Sequence, residues 1–166
     1  MKQLTLIRHA KSSWDDPALE DFARPLNKRG KRDLPAMARR VREFDLVPER
    51  LLTSGAVRAL STAEALIDAL ELSAEQILVQ PELYAAGYQA LLQQLRQQSD
   101  QWHHLMLVGH NPGLEDLGYH LTHERLPKFP TAAVLHIHLG ITRWCELEAS
   151  CGAVELFDYP KLHPKP

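Results

Sequence analysis

The sequence predicts an α/β protein: a three-layer α/β/α sandwich whose mainly parallel central sheet carries an antiparallel edge. Three observations predict it. Short apolar runs alternate with stretches of helical spacing as far as residue 121, the rhythm of strand–crossover–strand units. From residue 133 onward strand patterns follow one another without helices between, which suits antiparallel pairing. The length of 166 residues, 45% hydrophobic and 24% charged, matches one core and one domain spanning 1–166.

Residues 3–8 open the chain as a buried strand, with Leu4, Leu6 and Ile7 in a short apolar run. Residues 10–27 have no period and carry Asp15, Asp16, Pro17 and Pro25, so they read as a loop. Leu34, Met37, Ala38, Val41 and Phe44 form a helical stripe over about 28–44. Pro35 lies inside it and either kinks the helix or marks its first turn. Arg50–Ser54 is a second strand, followed by an amphipathic helix marked by Ala56, Leu60, Ala63, Ile67 and Leu70, with Ser54 as its N-cap. Ile77–Val79 is a third strand, and Leu91, Leu92 and Leu95 mark the next helix. Leu105–Gly109 is a fourth strand, and Asn111 caps a helix with Pro112 at its first position. Alternation from Ala133 to Leu139 gives a fifth strand, and Trp144–Ala149 and Ala153–Phe157 read as two more. Residues 160–166 carry three prolines and read as a surface tail.

The net charge of −2 excludes a strongly basic face for nucleic acid or a membrane surface. No apolar run is long enough to span a bilayer, and the first residues lead directly into a strand without a signal-peptide pattern. Cys145 and Cys151 then read as reduced thiols of a cytoplasmic protein. His103 and His104 are adjacent and point apart on a strand; His136 and His138 lack an obvious carboxylate or cysteine complement. No metal and no cofactor are expected.

Ligands of open α/β sheets bind beyond the carboxyl ends of the strands. Three strand ends carry unusual chemistry: Arg8 with His9, Ser54 with Arg58 one turn on, and His110 before a helix start. Helical side chains tilt toward the N-terminus, so Arg58 reaches back to its strand end. Two arginines, two histidines and two helix N-termini at one edge describe a pocket for a dianion.

Three motifs, in this order and spacing, resemble the histidine phosphatase superfamily, whose members include phosphoglycerate mutases and many phosphatases. They are Arg8-His9-Ala10-Lys11-Ser12, Ser54-Gly55-Ala56-Val57-Arg58-Ala59-Leu60-Ser61-Thr62-Ala63 and Val108-Gly109-His110-Asn111-Pro112-Gly113. The short length, with Arg24-Pro25-Leu26 and Gly30, resembles the SixA-type phosphohistidine phosphatases. The resemblance implies a phosphoglycerate mutase-like fold and a nucleophilic His9 that forms a covalent phosphohistidine. It also implies that Arg8, Arg58, His110 and Arg24 hold the phosphoryl oxygens. Ser12 and Asn111 are further candidates for phosphate contact. Glu82, in Pro81-Glu82-Leu83-Tyr84, matches the proton-donor loop of the mutases; Asp15 or Asp16 could substitute, and a phosphohistidine leaving group needs no strong acid.

The expected function is a metal-independent phosphatase acting on protein phosphohistidine, with a phosphorylated protein, such as a phosphorelay His-containing domain, as partner. The chain has little room for insertions that would enclose a small metabolite. The alternatives are a phosphatase of small phosphomonoesters and, in a different class, a weakly catalytic module that binds phosphate or a phosphoprotein.

Overall fold

A computed structural model describes residues 1–164 of the chain. The strands are β1 (Lys2–Arg8), β2 (Arg50–Thr53), β3 (Ile77–Val79), β4 (His104–Gly109), β5 (Val134–Leu139) and β6 (Gly152–Asp158). The α-helices are α1 (Lys28–Glu43), α2 (Val57–Leu70), α3 (Tyr88–Arg96) and α4 (Gly113–Thr122). The sheet order is β3-β2-β4-β1-β5-β6, with β1, β2, β3 and β4 parallel and β5 and β6 antiparallel.

Strand alternation divides the core between the two faces of the sheet. On one face Leu4, Leu6, Leu105 and Leu107 pack against Leu91 and Leu95 of α3 and Leu114, Leu117 and Leu121 of α4. On the other, Ile7, Met106 and Val108 pack against Leu34, Met37, Ala38 and Val41 of α1 and Ala59, Ala63 and Leu66 of α2. The helical spacing of each set is what lets one helix face close one sheet face. No helix is long and apolar enough to cross a membrane among the described residues.

Four local readings are corrected. The α2 N-cap position is Ala56, not Ser54, whose hydroxyl is committed elsewhere. Helix α4 starts at Gly113 with Pro112 in the cap position, although Asn111 Oδ1 still accepts from the Glu115 N–H at 3.3 Å. Trp144–Ala149 contains no strand; Trp144–Glu146 is one 3-10 turn, because its apolar residue fills a corner of the core instead of lining a sheet. The 10–27 loop is partly ordered by a 3-10 turn at Asp21–Ala23 and a bridge between Ser12 and Leu26. Pro35 lies inside α1, which runs through it from an Asn27 cap that accepts from Gly30 N–H at 2.8 Å. Of the expected tail, Pro160–Leu162 forms a 3-10 turn, and residues 165–166 lie outside the described residues.

Connections from β1 and β4 leave in opposite directions, toward β2 and toward β5. The switch point of the sheet therefore lies between β1 and β4, where such folds place their ligands. Gly30 fixes the loop there: a Cβ on it would stand 2.1 Å from the Lys11 carbonyl oxygen, which already accepts from Asn27 N–H at 3.0 Å. Gly30→Ala should destabilise the protein by about 1–3 kcal/mol in urea denaturation, because backbone cannot move aside as a side chain can. It should also lower activity in the remaining folded fraction, because the segment displaced is the one that follows His9.

Candidate active site

The parallel register sets Arg8 opposite Gly109, and the His9 N–H donates to the Gly109 carbonyl at 3.1 Å. The residues just beyond these strand ends, His9 and His110, thus stand side by side, with ring centroids 5.1 Å apart. They open into a cleft of about 230 Å³ shared with Arg8, Ser12, Arg24, Arg58 and Asn111. All seven residues expected to touch phosphate line this one cleft.

His9 is buried, and its Nδ1 lies 2.7 Å from the Ala10 carbonyl oxygen. A carbonyl only accepts, so Nδ1 carries the hydrogen and Nε2 of the neutral ring keeps its lone pair. Burial lowers the His9 pKa to about 3, against the raising effect of the Ala10 contact, and His110, Arg58 and Arg8 lower it further. The backbone behind the ring is tied down: Ala10 N–H donates to Thr62 Oγ1 at 3.0 Å, and Ala132 N–H reaches the carbonyls of Arg8 and His9 at 3.1 Å.

His110 is wired in the complementary sense. Its Nε2 lies 2.8 Å from Ser54 Oγ, which also accepts from Ala56 N–H at 3.2 Å. When the Ser54 hydroxyl donates to Nε2, one of the two senses this contact allows, the ring proton lies on Nδ1. Nδ1 is buried without a protein partner among the described residues, as is Arg8 Nε. Arg8 Nε, and Nδ1 in that tautomer, are donors for an anion. Burial first, then Arg58, lowers the His110 pKa to about 4.

The arginines are held by a residue that sequence reasoning missed. Asp21 Oδ2 accepts from Arg58 Nη2 at 2.9 Å and from the Tyr84 hydroxyl at 2.6 Å, and Oδ1 accepts from Arg24 Nη1 at 2.8 Å. Its backbone carbonyl takes Arg58 Nη1 at 2.6 Å. Tyr84, then Arg58 and Arg24, hold the Asp21 carboxyl far below the usual carboxylate range, although its side chain is 47% exposed. Arg24 also donates to the Ser13 carbonyl at 2.9 Å and to Ser12 Oγ at 2.5 Å, so the first loop and the arginine fix one another. Arg8 Nη1 and Asn111 Nδ2 share the Phe129 carbonyl, at 2.9 and 3.0 Å.

Glu82 stands exposed on the Pro81–Leu83 turn and does not line the cleft. Asp15 and Asp16 are exposed in the first loop and do not line it either. Tyr84, two residues after Glu82, does turn inward, its ring 5.6 Å from that of His110. Asp21 carried one signal in the sequence, its three-residue spacing to Arg24. In a stretch with no period that spacing had no geometric meaning until the 3-10 turn formed.

An α/β sheet with two neutral imidazoles and three arginines at its switch point defines a site for handling phosphoryl groups. The chain belongs to the histidine phosphatase superfamily (branch 1), whose family model matches residues 4–118. A Mycobacterium tuberculosis protein is 30% identical over 166 residues, covering 93% of this chain and 100% of the relative. A chloroplastic protein of Arabidopsis thaliana is 38% identical over 65 residues, only 30% of its own length. Among solved structures, SixA from Agrobacterium tumefaciens superposes with a TM-score of 0.83 at 26% identity, covering 96% of this chain and 98% of that one. The protein histidine phosphatase SixA complexed with tungstate gives 0.81 at 24% identity over 96% of this chain and 98% of that one. The fold is therefore phosphoglycerate mutase-like, as expected, and family membership supports a phosphatase activity.

Buried histidines tie stability to pH. Burial lowers His9 to about 3, and His104 and His110 to about 4, whereas the unfolded chain takes up these protons near 6.5. Between pH 6.5 and 4 the unfolded state binds more protons, so stability is complete above that window and falls as pH drops through it. The urea midpoint should decrease from pH 7 to pH 5, as the unfolding free energy falls by up to about 1.4 kcal/mol per pH unit for each histidine.

Proposed function

We propose that the protein is a phosphatase that forms a covalent phosphohistidine on His9 and acts on protein phosphohistidine. One observation carries the mechanism: Nδ1 of His9 is committed to the Ala10 carbonyl, so the lone pair of Nε2 is presented among Arg8, Arg58 and His110. Nε2 attacks phosphorus as the bond to the leaving group breaks, and water then hydrolyses the phosphohistidine. Arg8, Arg58, Arg24 and the Nδ1–H of His110 neutralise the equatorial oxygens, with Ser12 and Asn111 at the edge of the phosphate position. Donors already aimed at the developing charge need no reorganisation during the reaction. They supply the positive charge that a metal ion supplies in other phosphatases, so activity should survive exhaustive chelation.

The substrate reading rests on what surrounds the cleft. Trp14 is 75% exposed, and the Arg24 guanidinium carbon sits over its ring, 3.1 Å from the centroid. Phe22 and Val79, both exposed, each flank Gly55, and the Phe22 ring packs edge-on against Tyr84, whose ring is 5.6 Å from that of His110. Val57, beside Arg58, is exposed as well. An apolar rim around an open phosphate pocket suits the surface of a protein better than a small polar ester. The cleft lining holds no carboxylic acid among the described residues, which suits a departing imidazole that can carry its own proton. The 13% identical mycobacterial glucosyl-3-phosphoglycerate phosphatase shares the fold with a TM-score of 0.69, so a small phosphomonoester is the second reading.

Rapid acid-free quenching during turnover should trap acid-labile, base-stable phosphate on His9. His9→Ala should lose more than about a thousandfold in kcat/KM; wild-type hydrolysis by that variant would disprove the covalent route. Trp14→Ala and Phe22→Ala should each lower kcat/KM about tenfold on a phosphohistidine-bearing protein and leave p-nitrophenyl phosphate unaffected. Equal losses on both substrates would remove the rim from substrate recognition, and preference for sugar phosphates would favour the second reading.

A further inference from the structure

A second group of donors lies on the sheet face covered by α1 and α2, well back along β1 from the cleft. His136 and His138 are two apart on β5 and share that face. Their missing complement in the sequence was a carboxylate. The β5–β6 register supplies one: His136 pairs with Leu156 and Ile137 with Val154, so Glu155 has no opposite residue. This bulge turns Glu155 toward the histidines. One ligand atom from each of the three residues lies within 4.8 Å of the others, and His138 Nε2 touches Glu155 Oε2.

Hydrogen bonds behind His136 orient its ring. Thr5 Oγ1 lies 2.7 Å from His104 Nε2 and 2.8 Å from His136 Nδ1. The hydroxyl has one hydrogen to give, so one of these two ring nitrogens donates to it. With His136 Nδ1 as that donor, Nε2 keeps a lone pair. Nε2 lies 3.0 Å from Gln3 Oε1, and a half-turn of that amide gives the lone pair an N–H partner in its place. A backing hydrogen bond on the far nitrogen is what orients imidazoles that bind metals.

We propose that His136, His138 and Glu155 form a site for one divalent transition-metal ion of the Zn²⁺ type, separate from the catalytic cleft. Two imidazole nitrogens, one carboxylate oxygen and an open position for water match its preferred donors. Bonds of about 2.1 Å to a tetrahedral ion bring ligand atoms to roughly 3.4 Å apart. The half-exposed side chains of His138 and Glu155 have the freedom to close that gap, while buried His136 stays fixed. The ion would join β5 to β6, the edge strand.

The test uses untagged, metal-stripped protein titrated with Zn²⁺ against a chromophoric chelator, and with Co²⁺ followed by its visible absorption. The proposal expects one equivalent bound, a Co²⁺ band, and a zinc-dependent rise in Tm. His138→Ala and Glu155→Gln, both at half-exposed positions, should fold normally by circular dichroism and weaken binding more than about tenfold. His9→Ala should bind as wild type does. Stoichiometry well below one, unchanged affinity in the His138 and Glu155 variants, or loss of the ion in His9→Ala would each overturn it.

Discussion

The parallel pairing of β1 with β4 is the constraint on which the rest of the molecule depends. It is apolar in origin: Leu4, Leu6, Leu105 and Leu107 belong to one helical layer, Ile7, Met106 and Val108 to the other, and all are fully buried. Burial on both faces leaves this register no freedom to slip, because a one-residue shift would exchange the two faces. The polar consequence follows at the strand ends. With Arg8 locked opposite Gly109, the next residue of each strand is a histidine, and the two rings have no alternative but to meet.

Gathering cations around a nucleophile creates an electrostatic problem that the chain solves in two ways. Burial keeps both imidazoles neutral, so they add no charge to Arg8, Arg24 and Arg58. Asp21 then balances two of the arginines from the outer side, where solvent screens its own charge from the cleft. Its four contacts with Arg58, Arg24 and Tyr84 brace the guanidinium planes, an arrangement that long flexible side chains would not hold alone. The Ser54 hydroxyl serves the same purpose for His110 instead of capping α2.

The two histidine groups share one device at opposite parts of the sheet. In each, a carbonyl or hydroxyl oxygen engages one ring nitrogen and so orients the other. At His9 the Ala10 carbonyl leaves Nε2 its lone pair; at His136 the Thr5 hydroxyl, shared with His104, engages Nδ1. Lone pairs beside arginines suit attack on phosphorus. A lone pair beside another imidazole and a carboxylate suits a cation.

The sequence by itself determined the alternation of strands and helices, the edge where ligands bind, and Arg8, His9, Arg58 and His110 as residues at that edge. Those features are local or periodic, and each strand–helix unit carries its own pattern. Only the tertiary structure decided that Asp21 braces the arginines, that Ser54 turns to His110, that Glu82 stands outside the cleft, and that Glu155 joins His136 and His138. The reason is physical: Asp21 lies in a loop without a period, and Glu155 faces the histidines only through a register shift between strands. Spacing along a chain foretells which residues end a strand. It does not foretell which distant group completes their hydrogen bonds.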